Sequence, residues 1–503
     1  MKKIFQFKLY VLLFAIIALV FQGCEGELEP VVYDKLTSDN FPQTEEDAKA
    51  LVNSVYYEFR DGPWNRYNAA NESRLVQGLF STDEFSCYWD GYWGAPFNFT
   101  WQPDGWPFSD MYNAFVPAVT KATGAIAQLR SVESLDATLL ERYIAEIKAA
   151  RGYWMYDIYN LYGPVPFIVN EEDALNLTDY EQQARPSNEE IVALIEKDLS
   201  EAAEVLPIQY SSSDFGRLTK GAALMGLVKL YLHEKNWQKV KETAEAIIDL
   251  NVYKLQSVYK NIWALENEQN SEIIFAIQNH PTLGGITNNY RAHVLPSDWA
   301  SPNGYAVTAW NGYKVPWSYY DSFDEDDKRR EVLVRFYTGK KGQTIDARET
   351  SPLGAIPLKY PEDPEGTGQN QGADYVIYRY ADVLLGLAEA LNEINGPNQR
   401  SVDLINQVRE RAFDPAKPIF LSDFSSKQDL RDYILQERGW ELCFEGCRRE
   451  DLIRHGKFVE YANDPLKMEN RNPQQNARDF HKLYPIPNQA IFENPLMKQN
   501  DGY

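Results

Sequence analysis

The stretch "LTKGAALMGLVKLYLHEKNWQKVKETAEAIIDL" (residues 218–250) reads as two amphipathic helices joined at Lys235-Asn236. The same texture extends in both directions. Thr44-Glu45-Glu46-Asp47 predicts a helix start, with an N-cap hydroxyl followed by acids in the first turn. From Glu141 to Tyr162, Tyr143, Ile147, Ala150, Trp154, Ile158 and Leu161 recur at three- and four-residue steps, and Gly163-Pro164 stops the pattern. Ser187-Asn188-Glu189-Glu190 is a capping box opening a helix to about Val205. Near the end, Leu384, Leu387, Leu391 and Ile394 line one helix face. Gly396-Pro397 turns the chain, and Val402, Ile405 and Val408 line the next.

Within 218–250, the positions of Gly226, Tyr231, Trp237 and Ala244 resemble a tetratricopeptide unit, although the Gly-to-Tyr spacing departs from the usual one. Small residues there let paired helices approach closely. Such hairpins stack into an α-solenoid, so the expected fold is mostly α, a scaffold of tetratricopeptide-like pairs carrying long loops and a few short strands. Between the helical blocks, over about 255–370, periodicity fades and Gly, Pro, Asn and Trp rise. Glu272–Ile277 is a short strand candidate there.

At the amino end, Lys2, Lys3 and Lys8 precede a thirteen-residue apolar run, Leu9–Phe21, too short to span a bilayer comfortably and suited to a signal peptide. Gly23-Cys24 then resembles a bacterial lipobox, with Phe21 where Leu is usual, which predicts lipid attachment at Cys24. The expected divisions are a signal segment (1–23), an acidic tether (24–40), an N-terminal helical region (41–254), a loop-rich insert (255–370) and a C-terminal helical region (371–503). The formal charge of −23 becomes −26 without the signal segment's three lysines. A chain this acidic supplies no basic patch to displace counterions from phosphates, which argues against nucleic-acid partners. Of the other cysteines, Cys443 and Cys447 lie one helical turn apart, awkward for a disulfide, and Cys87 stands alone. Buried or unpaired thiols are expected, with no zinc site.

Four segments carry a resemblance to a known family: "EIKAARGYWMYDIYNLYGPVPFIV" (146–169), "YVIYRYADVLLGLAEALNEING" (375–396) with "VDLINQVRERAF" (402–413), "LQERGWELCFEGCRREDLIRHGKF" (435–458) and "LYPIPNQAIFENPLMKQNDGY" (483–503). In order and over nearly the whole mature chain, they resemble the SusD/RagB family of surface-exposed, glycan-binding lipoproteins of Bacteroidetes. The resemblance implies a helical body with four tetratricopeptide-like pairs, no catalytic activity, and placement as a lid on a SusC-like TonB-dependent barrel in the outer membrane, to which captured oligosaccharides pass. It implies no cofactor.

The site itself must be argued from this chain's residues. Residues 85–106, "FSCYWDGYWGAPFNFTWQPDGW", hold nine aromatic side chains without hydrophobic period, and "WASPNGYAVTAWNGYKVPWSYY" (299–320) holds a second concentration. Together they contain seven of the twelve tryptophans. Sugar rings present an apolar face, which aromatic rings cover, and a hydroxyl rim, which Asp, Asn and Arg satisfy. The expected ligand contacts are Trp89, Tyr92, Trp93 and Trp101 with Asp90 and Asn98, and Trp299, Trp310 and Tyr313 with Asn303. Tyr305, Asn311 and Trp317 belong to the second window. Trp89 and Trp93 are expected to face solvent ahead of Trp106, and Trp106 and Trp317, each beside Pro, to pin the loops.

Two other readings stay open. Asp83, Glu84 and Asp90 could flank a scissile bond in a surface glycoside hydrolase, although no HExxH, GxSxG, Walker A or GxGxxG pattern is present. Peptide capture for a similar transporter is the other. "DSFDEDD" (321–327) lacks EF-hand spacing and reads as a solvated charged turn.

Overall fold

The computed structural model describes residues 41–60, 65–68, 72–89, 93–283, 286–469 and 471–503. The signal segment, Cys24, the acidic tether, Asp90 and Tyr92 lie outside the described residues.

Nine helices longer than ten residues are present among the described residues: α1 (Glu45–Tyr57), α2 (Asp110–Arg130), α3 (Ala137–Tyr162), α4 (Asn188–Val205), α5 (Lys220–His233), α6 (Trp237–Asp249), α7 (Tyr380–Asn395), α8 (Gln399–Glu410) and α9 (Lys427–Glu441). Local chemistry sets their ends. At α1, Thr44 Oγ1 accepts from Asp47 N (3.1 Å) while Asp47 accepts from Thr44 N (3.0 Å), and Ser187 and Glu190 repeat this reciprocal capping at α4. Gly163 and Gly396 take positive φ (73° and 74°), ending α3 and α7 where an L side chain would be strained. Between α5 and α6, Lys235 adopts φ 54° and Asn236 caps Lys239 N.

The helices stack in chain order: α3 lies between α2 and α4, α4 packs on α5, α5 on α6, and α7 on α8 and α9. The insert does not interrupt the stack, because α6 packs directly on α7. The predicted face of α3 (Tyr143, Ile147, Ala150, Trp154, Ile158, Leu161) is buried throughout. Gly152 and Gly226 clasp Leu199 of α4 from two sides. A Cβ at Gly152 would lie 2.7 Å from Leu199 Cγ, and one at Gly226 3.0 Å from Leu199 Cδ1. The small residue at position 226 thus has the close-approach role its spacing suggested. Ile394 departs from the expected face of α7. It sits in the helix's last turn and is 41 % exposed.

The strands are short and pair two by two. β1 (Ser86–Cys87) runs antiparallel to β3 (Tyr313–Lys314), and β2 (Ile273–Ile277), the predicted strand, runs antiparallel to β4 (Tyr375–Arg379). One hydrophobic cluster extends from Ala48 to Met497 and takes in residues of the insert, such as Tyr290, Val315 and Ile356.

The segment 435–458 buries charge rather than exposing it. Arg438 pairs with Asp382 (2.7 Å) and Asp451 (2.8 Å), Arg448 with Asp83 (2.8 Å), and Arg454 with Glu389 (2.7 Å), all with nearly inaccessible side chains. The acidic turn 321–327 is spent locally: Asp321 binds Arg348, Asp324 and Asp326 hold Lys417, and Asp327 holds Arg329. Cys87, Cys443 and Cys447 are buried free thiols. Among the described residues no helix is long and apolar enough to cross a membrane.

Candidate functional site

The β1–β3 pairing brings the two aromatic windows together across more than two hundred residues, with Ser86 opposite Lys314 and Cys87 opposite Tyr313. Tyr88 N continues the ladder to Gly312 O at 2.8 Å. One residue further, Trp89 Nε1 donates to Trp310 O at 2.8 Å, so the side chain of one window is locked to the backbone of the other. Gly312 makes this possible. A Cβ there would fall 2.4 Å from Trp89 Cζ2, inside the indole's own space.

Beneath this pair lies a stack of rings. His293 sits edge-to-face with Trp310 (centroids 4.8 Å, 87°) and stacks on Tyr313 (4.9 Å, 20°), while Trp89 meets Tyr313 at 5.6 Å. Burial holds His293 well on the neutral side, near 4, and its Nδ1 contacts Asn289 O at 2.9 Å. Lys314 lies deeper, donating to Val294 O and Tyr313 O at 3.1 Å each. Burial without a carboxylate partner among the described residues lowers it to about 7. The floor is therefore rigid, ring-rich and close to neutral.

Trp89 and Trp310 remain half-buried, and Tyr88 and Tyr305 are 46 % and 39 % exposed. Asn303, exposed on the same loop, donates through Nδ2 to Glu362 Oε2 (3.0 Å), which also accepts from Ser301 Oγ (2.9 Å). Asn303 and Tyr305 are thus exposed together on this loop, while Glu362, its side chain 6 % exposed, anchors the loop beside Arg291 at 3.8 Å.

Several expected contacts belong elsewhere. Trp93 is 2 % exposed, wedged among Phe80 (5.5 Å), Phe85 (6.1 Å) and Trp106 (4.8 Å). Trp106, expected to be the more buried, is the half-exposed member of that pair. Tyr313 is fully buried as the floor. Trp101 is buried against Phe99, His481 and Tyr484, which ties the first window to the C-terminal segment. Trp299 is buried against Tyr337 (5.5 Å, 16°). Asn98 ends the short helix Gly94–Asn98, where its carbonyl accepts from Asn476. Trp317 is buried as expected, its Nε1 donating to Ser351 O at 2.8 Å. Trp101 is covered by residues distant in sequence, and Trp93 by rings within thirteen residues of it together with Tyr313 of β3. Tyr88 was missed because tryptophans drew the reading, and nothing in the sequence pointed to Glu362.

Two of the three carboxylates of the hydrolase reading, Asp83 and Glu84, are sealed, and Asp90 lies outside the described residues. Asp83 forms a two-pronged bond with Arg448 (both 2.8 Å), and Glu84 accepts from Phe444 N at 3.2 Å. Both are 1 % exposed, so neither reaches a substrate. Despite burial, the Arg448 guanidinium holds Asp83 below the ordinary carboxylate range. Desolvation, with Asp83's charge adding, pushes Glu84 up to about 8. The folded state therefore keeps Glu84's proton where the unfolded state has lost it. That stabilising contribution is complete below pH 4.5 and is lost as pH rises through 8. Glu84→Gln should flatten this loss, which can reach about 1.4 kcal/mol per pH unit. Denaturant titrations of both proteins from pH 5 to 9 measure it, and parallel pH profiles would refute it.

Comparison with known proteins agrees with this architecture. A family profile described as "SusD family" matches residues 337–503, and one described as "Starch-binding associating with outer membrane" matches residues 34–232. The chain belongs to the SusD/RagB family. This SusD-like chain is 27 % identical to SusD-like protein P2 of Formosa agariphila, over 99 % of this chain and 100 % of that protein. It is 26 % identical to the starch-binding protein SusD of Bacteroides thetaiotaomicron, over 73 % and 74 % of the two chains. Among solved structures, a SusD homolog from Bacteroides thetaiotaomicron superposes with TM-score 0.77 at 21 % identity, covering 93 % of this chain and 98 % of that one. Surface glycan-binding protein A from the same organism, in complex with laminarihexaose, superposes with TM-score 0.74 at 20 % identity, covering 91 % and 100 %. At these identities the structural likeness establishes the helical SusD-like fold.

Proposed function

We propose that this protein captures oligosaccharides at the bacterial outer surface, without cleaving them, and passes them to a SusC-like TonB-dependent transporter while anchored through a lipid on Cys24. The observation that carries the reading is the Trp89–Trp310 pair, two half-buried indoles over a stack of buried rings, with the Trp89 indole held to the Trp310 main-chain carbonyl by a 2.8 Å hydrogen bond. Rings held this way lose little conformational entropy when a sugar face settles on them. Asn303, exposed beside Tyr305, is placed to meet a hydroxyl rim. Support comes also from the family's outer-membrane starch-binding description and from the starch- and laminarihexaose-binding proteins among its relatives. The burial of Asp83 and Glu84 speaks for binding over hydrolysis.

Intrinsic tryptophan fluorescence and calorimetry, run against maltohexaose, laminarihexaose, xylohexaose and a set of oligopeptides, test the reading. Trp310→Ala should weaken binding of the selected hexaose by about 2 kcal/mol, roughly thirtyfold, as a central aromatic anchor does. Trp89→Ala should do the same by releasing the Trp310 backbone, with the circular dichroism spectrum unchanged in both. Wild-type affinity in both variants, release of reducing ends, or selection of a peptide in place of every hexaose would each sink it.

A further inference from the structure

A cavity of about 640 Å³ is lined, among the described residues, by no residue of either aromatic window. It opens between the C-terminal end of α1, the 213–217 loop and the run 275–280 that leaves β2, with Asp374 in its wall. A neighbouring cavity of about 320 Å³ shares Phe215, Gly216, Arg217 and Glu268 with it.

Among the described residues, two acids of the larger cavity stand outside any ion pair, whereas Arg217 in the same lining is held by Asp214 and Glu146. Asp374 is 7 % exposed and accepts from Asn279 N at 2.8 Å, while Glu268 accepts from Asp374 N at 2.8 Å. Neither carboxylate has a Lys or Arg at ion-pair distance among the described residues. The Arg60 guanidinium in the same wall donates to the Gln278 carbonyl and attracts Asp374 from beyond ion-pair distance. Elsewhere this protein pairs buried acids closely, as at Asp83, Glu441 and Asp451. Loss of water, with the closeness of Glu268 adding, raises Asp374 to about 7. Tyr57, 45 % exposed, supplies an aromatic ring in the same lining.

Carboxylate acceptors, a guanidinium donor and an exposed phenol ring form the complement of a sugar residue. Its hydroxyls donate to Asp374 and Glu268 and accept from Arg60, and its apolar face covers Tyr57. The lining balances Asp214, Glu268 and Asp374 against Lys49, Arg60 and Arg217, which suits a neutral polyhydroxyl ligand better than an ion of either sign. We infer that this cavity is a second saccharide-binding site, separate from the Trp89–Trp310 platform and specific for uncharged sugar residues. The inference rests on the glycan-binding reading above. Two separated sites on one surface protein would hold a long polysaccharide with an avidity that neither has alone.

The test uses the full chain carrying Trp89→Ala and Trp310→Ala together, which removes the platform. Calorimetry and saturation-transfer NMR with maltohexaose, laminarihexaose and xylohexaose should still find binding of at least one. Adding Asp374→Asn or Tyr57→Ala should weaken that binding about tenfold, with the thermal midpoint within 2 °C of the parent. Arg60→Gln should act in the same direction. If wild type binds a hexaose and the platform variant binds none, or if the added substitutions leave its binding unchanged, the cavity inference is overturned and the platform stands. If wild type binds no hexaose, both readings fall. Displacement of the hexaose from the platform variant by penta-alanine, in a manner abolished by Asp374→Asn, would make the cavity a peptide site and overturn the inference as well.

Discussion

Arg379→Met is expected to cost at least about 4 kcal/mol of unfolding free energy, within the range for removing one partner of a buried ion pair. Arg379 is fully buried at the end of β4 and donates to Glu272 Oε1 (2.9 Å) and to both carboxylate oxygens of Glu445 (2.8 and 2.9 Å), as well as to Glu441. Glu272 adjoins β2, and Glu441 and Glu445 close α9 and its following turn, so one guanidinium joins insert and C-terminal block. Arg411 and Lys359 neutralise part of the acids but cannot reach the place vacated. Methionine fills a similar volume, so the loss would be electrostatic rather than a cavity effect. The exposed pair Arg400–Glu245 is the control, and Arg400→Met should stay within about 0.5 kcal/mol of wild type. Urea denaturation of the three proteins decides it. A change below 1 kcal/mol for Arg379→Met would mean that the charges are solvated by another route.

Gly78→Ala is the second large effect, at least about 3 kcal/mol. A Cβ at Gly78 would stand 2.0 Å from the Gly446 carbonyl oxygen and 2.7 Å from its carbon, which is backbone and cannot rotate away. Gly446 is itself at φ 79° and within 3.3 Å of Leu75 if given a Cβ, so the two glycines form a crossing with no slack on either side. The helix Arg74–Leu79 leads through Asp83 and Glu84 into β1. Displacing it should therefore also loosen the Trp89–Trp310 lock. The check is the thermal midpoint together with tryptophan emission. A midpoint shift under 2 °C, or unchanged emission, would show that the segments separate freely.

Much of the scaffold was legible because its causes are local. The capping boxes at Thr44 and Ser187, the stops at Gly163 and Gly396, and the apolar face of α3 each depend on residues within a turn or two. Gly226 could be read as a close-approach residue because hairpin packing repeats in sequence. The charges of 435–458 were not legible as a buried lattice. Arg438 and Arg448 look like solvated helix residues until Asp382 and Asp83 arrive from other parts of the chain and Asp451 folds back from within the segment.

The candidate site divides in the same way. Composition and missing period marked residues 85–106 and 299–320 as unusual aromatic loops, and the sequence by itself determined that these loops ride on a helical scaffold of the SusD/RagB kind. Which rings face outward was decided only by the tertiary structure. Trp93 and Trp89 have nearly identical neighbours in sequence, yet Phe80, Phe85 and Trp106 close over one, while Gly312, 223 positions away, leaves the other lying across open backbone. Exposure is a property of what covers a ring: for Trp101 the cover comes from the C-terminal segment, for Trp299 from Tyr337, and for Trp93 from rings close in sequence together with Tyr313 of β3.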